Sequence, residues 1–265
     1  MAKKRRRRLR KTPIVILILI IAIIAGSVIY RNTKTKNTAD KKTESTQSAQ
    51  SNVSSGPTAE QKAMMAETEK WYLFLVNGEN PLPEDYDYDK DLVEINSKYI
   101  NGSLKQINKD VLKPMTDMVK AAWKDGVILY VWSPYRSYDI QKMLFNRQTQ
   151  RCIAEGTPKD QAEDKAATMV ARPGTSEHHT GLCADFNMAD SSFEQTKMFK
   201  WMKENAADYG FILRYPKDKQ EITGVIYESW HWRYVTPEHA KKMNELGLCL
   251  EEYIDYLKNG GEIQK

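Results

Sequence analysis

The chain has 265 residues, 40 of them Lys or Arg against 35 Asp or Glu, for a formal net charge of +5. Eight of the positive residues (Lys3, Lys4, Arg5, Arg6, Arg7, Arg8, Arg10 and Lys11) and no acidic one fall within the first twelve, so taking eight from +5 leaves −3 for everything beyond Thr12. A mildly acidic remainder offers no basic face to a phosphate backbone and argues against nucleic acid as a partner, and three cysteines are too few, and odd in number, for a disulfide framework.

The basic tail, residues 1–12, runs into PIVILILIIAIIAGSVIY, residues 13–30, which carries no charge. Roughly 17–25 apolar residues cross a bilayer as a helix, whereas the apolar core of a cleaved secretory signal is about 7–15 long. The segment is therefore expected to be a single-pass transmembrane anchor. Its basic flank should stay in the cytoplasm, which puts the rest of the chain outside. Cleavage near Ala25 to Ser27 is the competing reading. Residues 31–62 are expected to be a polar, flexible stalk, because the stretch 31–57 is nearly without aliphatic side chains to offset its ordering entropy. A short helix at 58–70 should lead into a folded domain spanning 63–258, followed by a tail at 259–265.

Within that domain, Val111, Met115, Met118, Val119, Ala122 and Trp123 recur at helical spacing, which predicts a helix over 110–124 ending before Gly126. VILYVWS, 127–133, reads as a short buried strand. Two helices follow at 138–155 and 159–170, then a strand at 182–188, a helix at 192–208, strands at 211–214 and 230–235, and a helix at 236–246 with Pro237 at its favoured first position. Helices grouped around a few short strands, without regular alternation, give an α+β fold. The three cysteines, Cys152, Cys183 and Cys249, are expected as buried thiols, with one bridge as the alternative.

The four histidines are His178, His179, His231 and His239. A catalytic zinc site needs three protein ligands and one open position. His178 in a loop and Asp185 on the next strand can supply two ligands, and His231 in WHWRYV a third. Gly181 lets the backbone between the first two turn tightly. Bound water needs a base, and Glu228 lies three residues before His231. On a regular strand that spacing would put the two on opposite faces, so Glu228 must sit in the turn leading into the strand. On the strand itself His231 and Arg233 should face one way, with Trp230, Trp232 and Tyr234 packing on the other. Arg136, at the end of the first strand, is a candidate to stabilise an oxyanion, with Gln141 one helical turn on to meet the substrate's polar end. Arg214 and Arg233 read as ion-pair partners, His179 as an outward neighbour and His239 as a surface residue.

The entry LVNGENPLP, then SPYRSYDIQ, PGTSEHHTGLCADF and FILRYPKDKQEITGVIYESWHWRYV, in this order, resemble the VanY-like D-alanyl-D-alanine carboxypeptidases, over about residues 71–246. The resemblance implies an α+β domain with a small antiparallel sheet flanked by helices, and one zinc ion on His178, Asp185 and His231. It further implies Glu228 as the general base, Arg136 at the scissile carbonyl or the terminal carboxylate, and Gln141, Ser176 and Tyr215 beside the substrate. The chain departs from the family pattern at Pro134, at His179 and at Cys183 with Ala184. The reaction implied is removal of the terminal D-alanine from the stem peptide of peptidoglycan, at the outer face of the bacterial membrane. An L,D-carboxypeptidase acting on the tetrapeptide stem and a zinc-containing wall-binding module without turnover are the alternatives.

Overall fold

The computed structural model describes residues 56–263, which fall in one compact unit running from Ser55–Lys265. The expected anchor and almost all of the expected stalk lie outside the described residues. Among the described residues, no helix is long and apolar enough to cross a membrane.

Helix α1 (Ala59–Glu67) opens on a capping box in which the Thr58 hydroxyl accepts the Gln61 amide and the Gln61 side chain accepts the Thr58 amide. This helix lies across the boundary expected at 62/63. A hairpin follows, β1 (Leu92–Glu94) against β2 (Gln106–Asn108), and then α2 (Lys109–Lys124). α2 drives Val111, Met115, Met118, Val119 and Ala122 into the main core, as their spacing predicts.

The central sheet is four-stranded and antiparallel, in the order β3 (Val131–Ser133), β4 (Cys183–Phe186), β6 (His231–Tyr234), β5 (Phe211–Leu213). β3 and β4 are shorter than the expected 127–133 and 182–188, and Asn187 is the reason. It sits at φ 56°, and its amide accepts from Tyr130 N (3.1 Å) and donates to Ile128 O (3.0 Å). A side chain replaces the ladder just where both strands were expected to run on.

Helix α3 (Tyr138–Ala154) matches expectation, with Ser137 accepting the Ile140 amide as its cap. The helix expected at 159–170 is only α4 (Ala162–Ala167), since residues 158–161 close a turn through Gln161 N to Pro158 O. The helix expected at 192–208 is interrupted at Thr196, whose hydroxyl caps α5 (Lys197–Asn205) by accepting the Phe199 amide. A single turn, α6 (Gln220–Thr223), precedes β6. α7 (Pro237–Leu246) and α8 (Leu250–Lys258) then close a second cluster around Leu73, Ile212 and Val235. The overall architecture is α+β, small antiparallel sheets flanked by helices.

Candidate metal centre and cleft

Strands β4 and β6 pair with Asp185 opposite His231 and Cys183 opposite Arg233. Side chains alternate along a strand, so these four share one face. The other face gives Ala184, Phe186, Trp232 and Tyr234 to the main core. WHWRYV is therefore structural on one side and chemical on the other, as its alternation predicts.

His178 reaches the same face from a tight 3-10 turn, Glu177–Thr180. Gly181 ends the turn at φ 65°, and a Cβ there would lie 2.6 Å from the backbone nitrogen of Asn108. Any other residue would push β2 away from the turn. His178 Nδ1 bonds to the Pro134 carbonyl at 2.6 Å, so that nitrogen carries the proton and Nε2 keeps its lone pair. Nε2 lies 3.5 Å from Asp185 Oδ1, and His231 Nδ1 lies 3.2 Å from the same oxygen. Zinc bonds of about 2.0–2.1 Å at tetrahedral angles separate donor atoms by roughly 3.3 Å. All three residues are buried, and Asp185 Oδ1 has no hydrogen-bond partner. Two imidazoles and a carboxylate, gathered around an orphaned oxygen at the spacing of a coordination edge, fit one zinc ion.

The other carboxylate oxygen, Asp185 Oδ2, accepts from Arg136 Nη2 at 2.6 Å. Arg136 also donates to Ser133 Oγ (2.9 Å) and Gln141 Oε1 (3.2 Å), while Gln141 Nε2 donates to Ala171 O (2.7 Å). Burial raises the Asp185 carboxyl, but His178 and Arg136 overcome it and hold Asp185 well below the usual range, ionised as a ligand must be.

Glu228 occupies the turn into β6, the position its spacing requires, with Oε2 3.6 Å from His231 Nδ1. Burial pushes its carboxyl up to about 7, the neighbouring Asp185 adding to the effect and His231 opposing it. A buried carboxyl raised in this way is suited to carrying a proton back and forth. The Tyr215 ring stands 4.9 Å from that of His231. All eight residues singled out from the sequence (Arg136, Gln141, Ser176, His178, Asp185, Tyr215, Glu228 and His231) line one cleft of about 410 Å³.

Cys183 is fully buried and does not line that cleft. Its sulfur and donor nitrogens of His178 and His231 lie within 4.8 Å of one another, a second donor set that could hold a metal ion. Burial raises the thiol, but the two imidazoles pull it down to about 7. Cys152, Cys183 and Cys249 are all free and buried, so the bridge held as an alternative is not formed.

Glu177 is the functional residue that the sequence reading missed. It is 1% exposed and accepts from two fully buried arginines through Oε1, Arg214 Nε at 2.7 Å and Arg233 Nη1 at 2.9 Å. Its Oε2 faces His231 Nε2 at 3.5 Å. Arg214 and Arg233 are ion-pair partners, as expected, but in the interior. Arg214 continues to Glu251 on α8 (2.6 and 2.8 Å), and Arg233 to the carbonyls of Tyr72 and Phe74. A signal was present: alternation puts Arg233 on the face of His231, and a buried arginine there demands an anion.

Two further expectations are corrected. His179 is buried rather than outward-facing; its ring is held between Arg136 O (2.8 Å) and Gly174 N (3.1 Å), so it braces the loop that carries Arg136. His239 is not a surface residue either, being buried against the Tyr253 hydroxyl at 2.8 Å.

Comparison with known proteins gives concordant results. Residues 104–237 match the family model described as VanY, D-alanyl-D-alanine carboxypeptidase. A D-alanyl-D-alanine carboxypeptidase of Enterococcus faecalis is 40% identical over 187 residues, 71% of this chain and 67% of that protein. Among solved structures, VanYB in complex with D-alanine-D-alanine superposes with a TM-score of 0.62 at 40% identity, over 70% of this chain and 98% of that one. The vancomycin-resistance D,D-pentapeptidase VanY of a VanB-type cassette, in complex with Zn(II), gives a TM-score of 0.61 at 40% identity over 70% and 99%.

Proposed function

The chain belongs to the VanY family of D-alanyl-D-alanine carboxypeptidases, and from that premise we propose that it is a zinc-dependent hydrolase removing the terminal D-alanine from peptidoglycan stem peptides. The observation that carries the proposal is the convergence of His178 Nε2 and His231 Nδ1 on the unpartnered Asp185 Oδ1. These three atoms would hold one zinc ion. Bound there, zinc would lower the pKa of a coordinated water to about 7 and polarise the scissile carbonyl.

The chain's own residues do the rest. Glu228 Oε2 takes a proton from the attacking water and returns it to the nitrogen of the departing D-alanine. Arg136 lies beside Asp185, where its guanidinium can share the charge that develops on the carbonyl oxygen or hold the terminal carboxylate. Gln141 has both ends of its amide committed, so its effect on substrate goes through Arg136, which it fixes in place. Ser176 and Tyr215 line the buried end of the cleft, where a small terminal residue fits.

The uncharged stretch 13–30 after a basic tail supports a single-pass anchor. With residues 31–62 as a stalk, the catalytic domain, 63–258, would stand outside the cell, facing its substrate in the wall. The test is to incubate the zinc-loaded full-length chain with pentapeptide and tetrapeptide stems and weigh the products. Release of D-alanine from the pentapeptide is expected. Cleavage of the tetrapeptide alone would overturn the D,D assignment in favour of an L,D-carboxypeptidase, and no cleavage of either would leave a binding module.

A further inference from the structure

The cleft continues well beyond the metal-binding residues. Gln141, Leu144, Arg147, Gln148 and Arg151 all line it from α3, at the spacing of one helical face. Its two ends differ. At one, Gln141 and Ser176 are buried; at the other, Arg147 and Arg151 are exposed. A carboxypeptidase must seat the last residue of its substrate at the closed end, so the rest of the peptide leaves past the arginines.

Of the three arginines lining the cleft, Arg136 is paired with Asp185 (2.6 Å) and Arg151 with Glu155 (2.9 Å). Among the described residues, Arg147 makes neither an ion pair nor a side-chain hydrogen bond. Val170 and Ile226 add apolar lining, and the acidic residues of the cleft are Asp185, paired with Arg136, Glu155, paired with Arg151, and Glu228 beside His231. An unpaired guanidinium over the mouth of a substrate cleft is complementary to a carboxylate on the substrate.

The helix fixes where that carboxylate must be. Six residues at 1.5 Å each put Arg147 about 9 Å along α3 from Gln141. An extended peptide advances about 3.3–3.6 Å per residue. We propose that Arg147 forms a subsite for a carboxylate carried by the substrate about two or three residues upstream of the scissile bond, making the enzyme selective for stem peptides in which that group is free rather than amidated. The proposal rests on the carboxypeptidase reading and names the substrate class of that same site.

The experiment uses the zinc-loaded full-length chain and two pentapeptides ending in D-alanyl-D-alanine, identical except that the upstream carboxylate is a carboxamide in one. An N-acetylated D-alanyl-D-alanine dipeptide, with nothing upstream, is the third substrate. The parent enzyme is expected to favour the carboxylate peptide by about two- to fivefold in kcat/KM, the size of an exposed ion pair, with the preference shrinking at high salt. Arg147→Gln should bring the ratio of the two rates to one, and Arg147→Lys should keep part of it. The ratio carries the result, so a general loss of activity in a variant does not obscure it. Equal rates for the two peptides with the parent enzyme, or an undiminished ratio in Arg147→Gln, would overturn the subsite while leaving the carboxypeptidase reading standing. Failure to release D-alanine from any of the three substrates would instead sink that reading itself.

Discussion

Glu177 Oε2 and His231 Nε2 face each other at 3.5 Å in the interior, and among the described residues neither atom makes a hydrogen bond. Glu177 is held ionised by Arg214 and Arg233 against the cost of its burial. A carboxylate in that position favours a proton on His231 Nε2, which would leave the Nδ1 lone pair for a metal shared with Asp185. Such outer partners tune a ligand's orientation and basicity, and their loss typically costs about 10–100-fold in metal affinity. Glu177→Gln should weaken zinc binding by that factor, measured by competition with a chromophoric chelator. It also leaves two buried guanidiniums without their shared counter-ion, so the metal-free protein should lose about 3–5 kcal/mol of stability in denaturant unfolding. Unchanged zinc affinity would reduce Glu177 to a purely architectural role.

Glu228 lies 3.6 Å from His231 Nδ1 and stands outside the proposed ligand set. Glu228→Gln should retain one zinc per chain while D-alanine release drops by about 10²–10⁴-fold, the range for loss of a general acid–base group. Metal analysis and product mass on the same preparation check both halves.

The elevated Glu228 carboxyl also sets the pH dependence. As a base it works only when ionised, so kcat/KM must rise with pH and be lost as pH falls through its pKa. Burial puts that pKa at about 7 without a metal, and an adjacent dication favours the ionised form, so the acid limb of the zinc enzyme is expected below 7. In the metal-free protein the raised pKa works in the other direction. The group contributes stability that is fully present below its ordinary 4.5 and is lost as pH rises through about 7, a difference of roughly 3 kcal/mol. Melting curves of chelator-treated protein at about pH 5 and about pH 8 should show Glu228→Gln gaining on the parent at the higher pH.

Arg136 makes three side-chain hydrogen bonds, to Ser133, Gln141 and Asp185, through three different nitrogens. A lysine cannot reproduce that planar fork. Arg136→Lys is expected to lower kcat on the pentapeptide by about 10²–10³-fold, as for removal of one oxyanion donor, with steady-state kinetics separating this from an effect on KM.

Much of this site was legible in the sequence because its chemistry follows strand alternation. The period-two pattern separated His231 and Arg233 from Trp232 and Tyr234, and the three-residue gap forced Glu228 into a turn. What escaped was tertiary. Nothing local in SEHHTG distinguishes the buried Glu177 from a solvated acid, because its partners lie at 214 and 233. The histidines at 179 and 239 are polar residues buried by distant neighbours, which short-range patterning does not register. β1 and β2 span three residues each, too few to establish a period. α8 was overlooked despite Leu250, Tyr253, Ile254 and Leu257 at helical spacing. Strand ends were misplaced wherever a side chain, as at Asn187, stood in for backbone.

Anomalous scattering at the zinc edge from crystals of the zinc-loaded protein tests the central claim most directly. One strong peak is expected within bonding distance of His178 Nε2, Asp185 Oδ1 and His231 Nδ1, with Glu228 and Arg136 on its cleft side. A peak that excludes Asp185 or lies away from this triad, or no ordered zinc at all in an active preparation, would contradict the account.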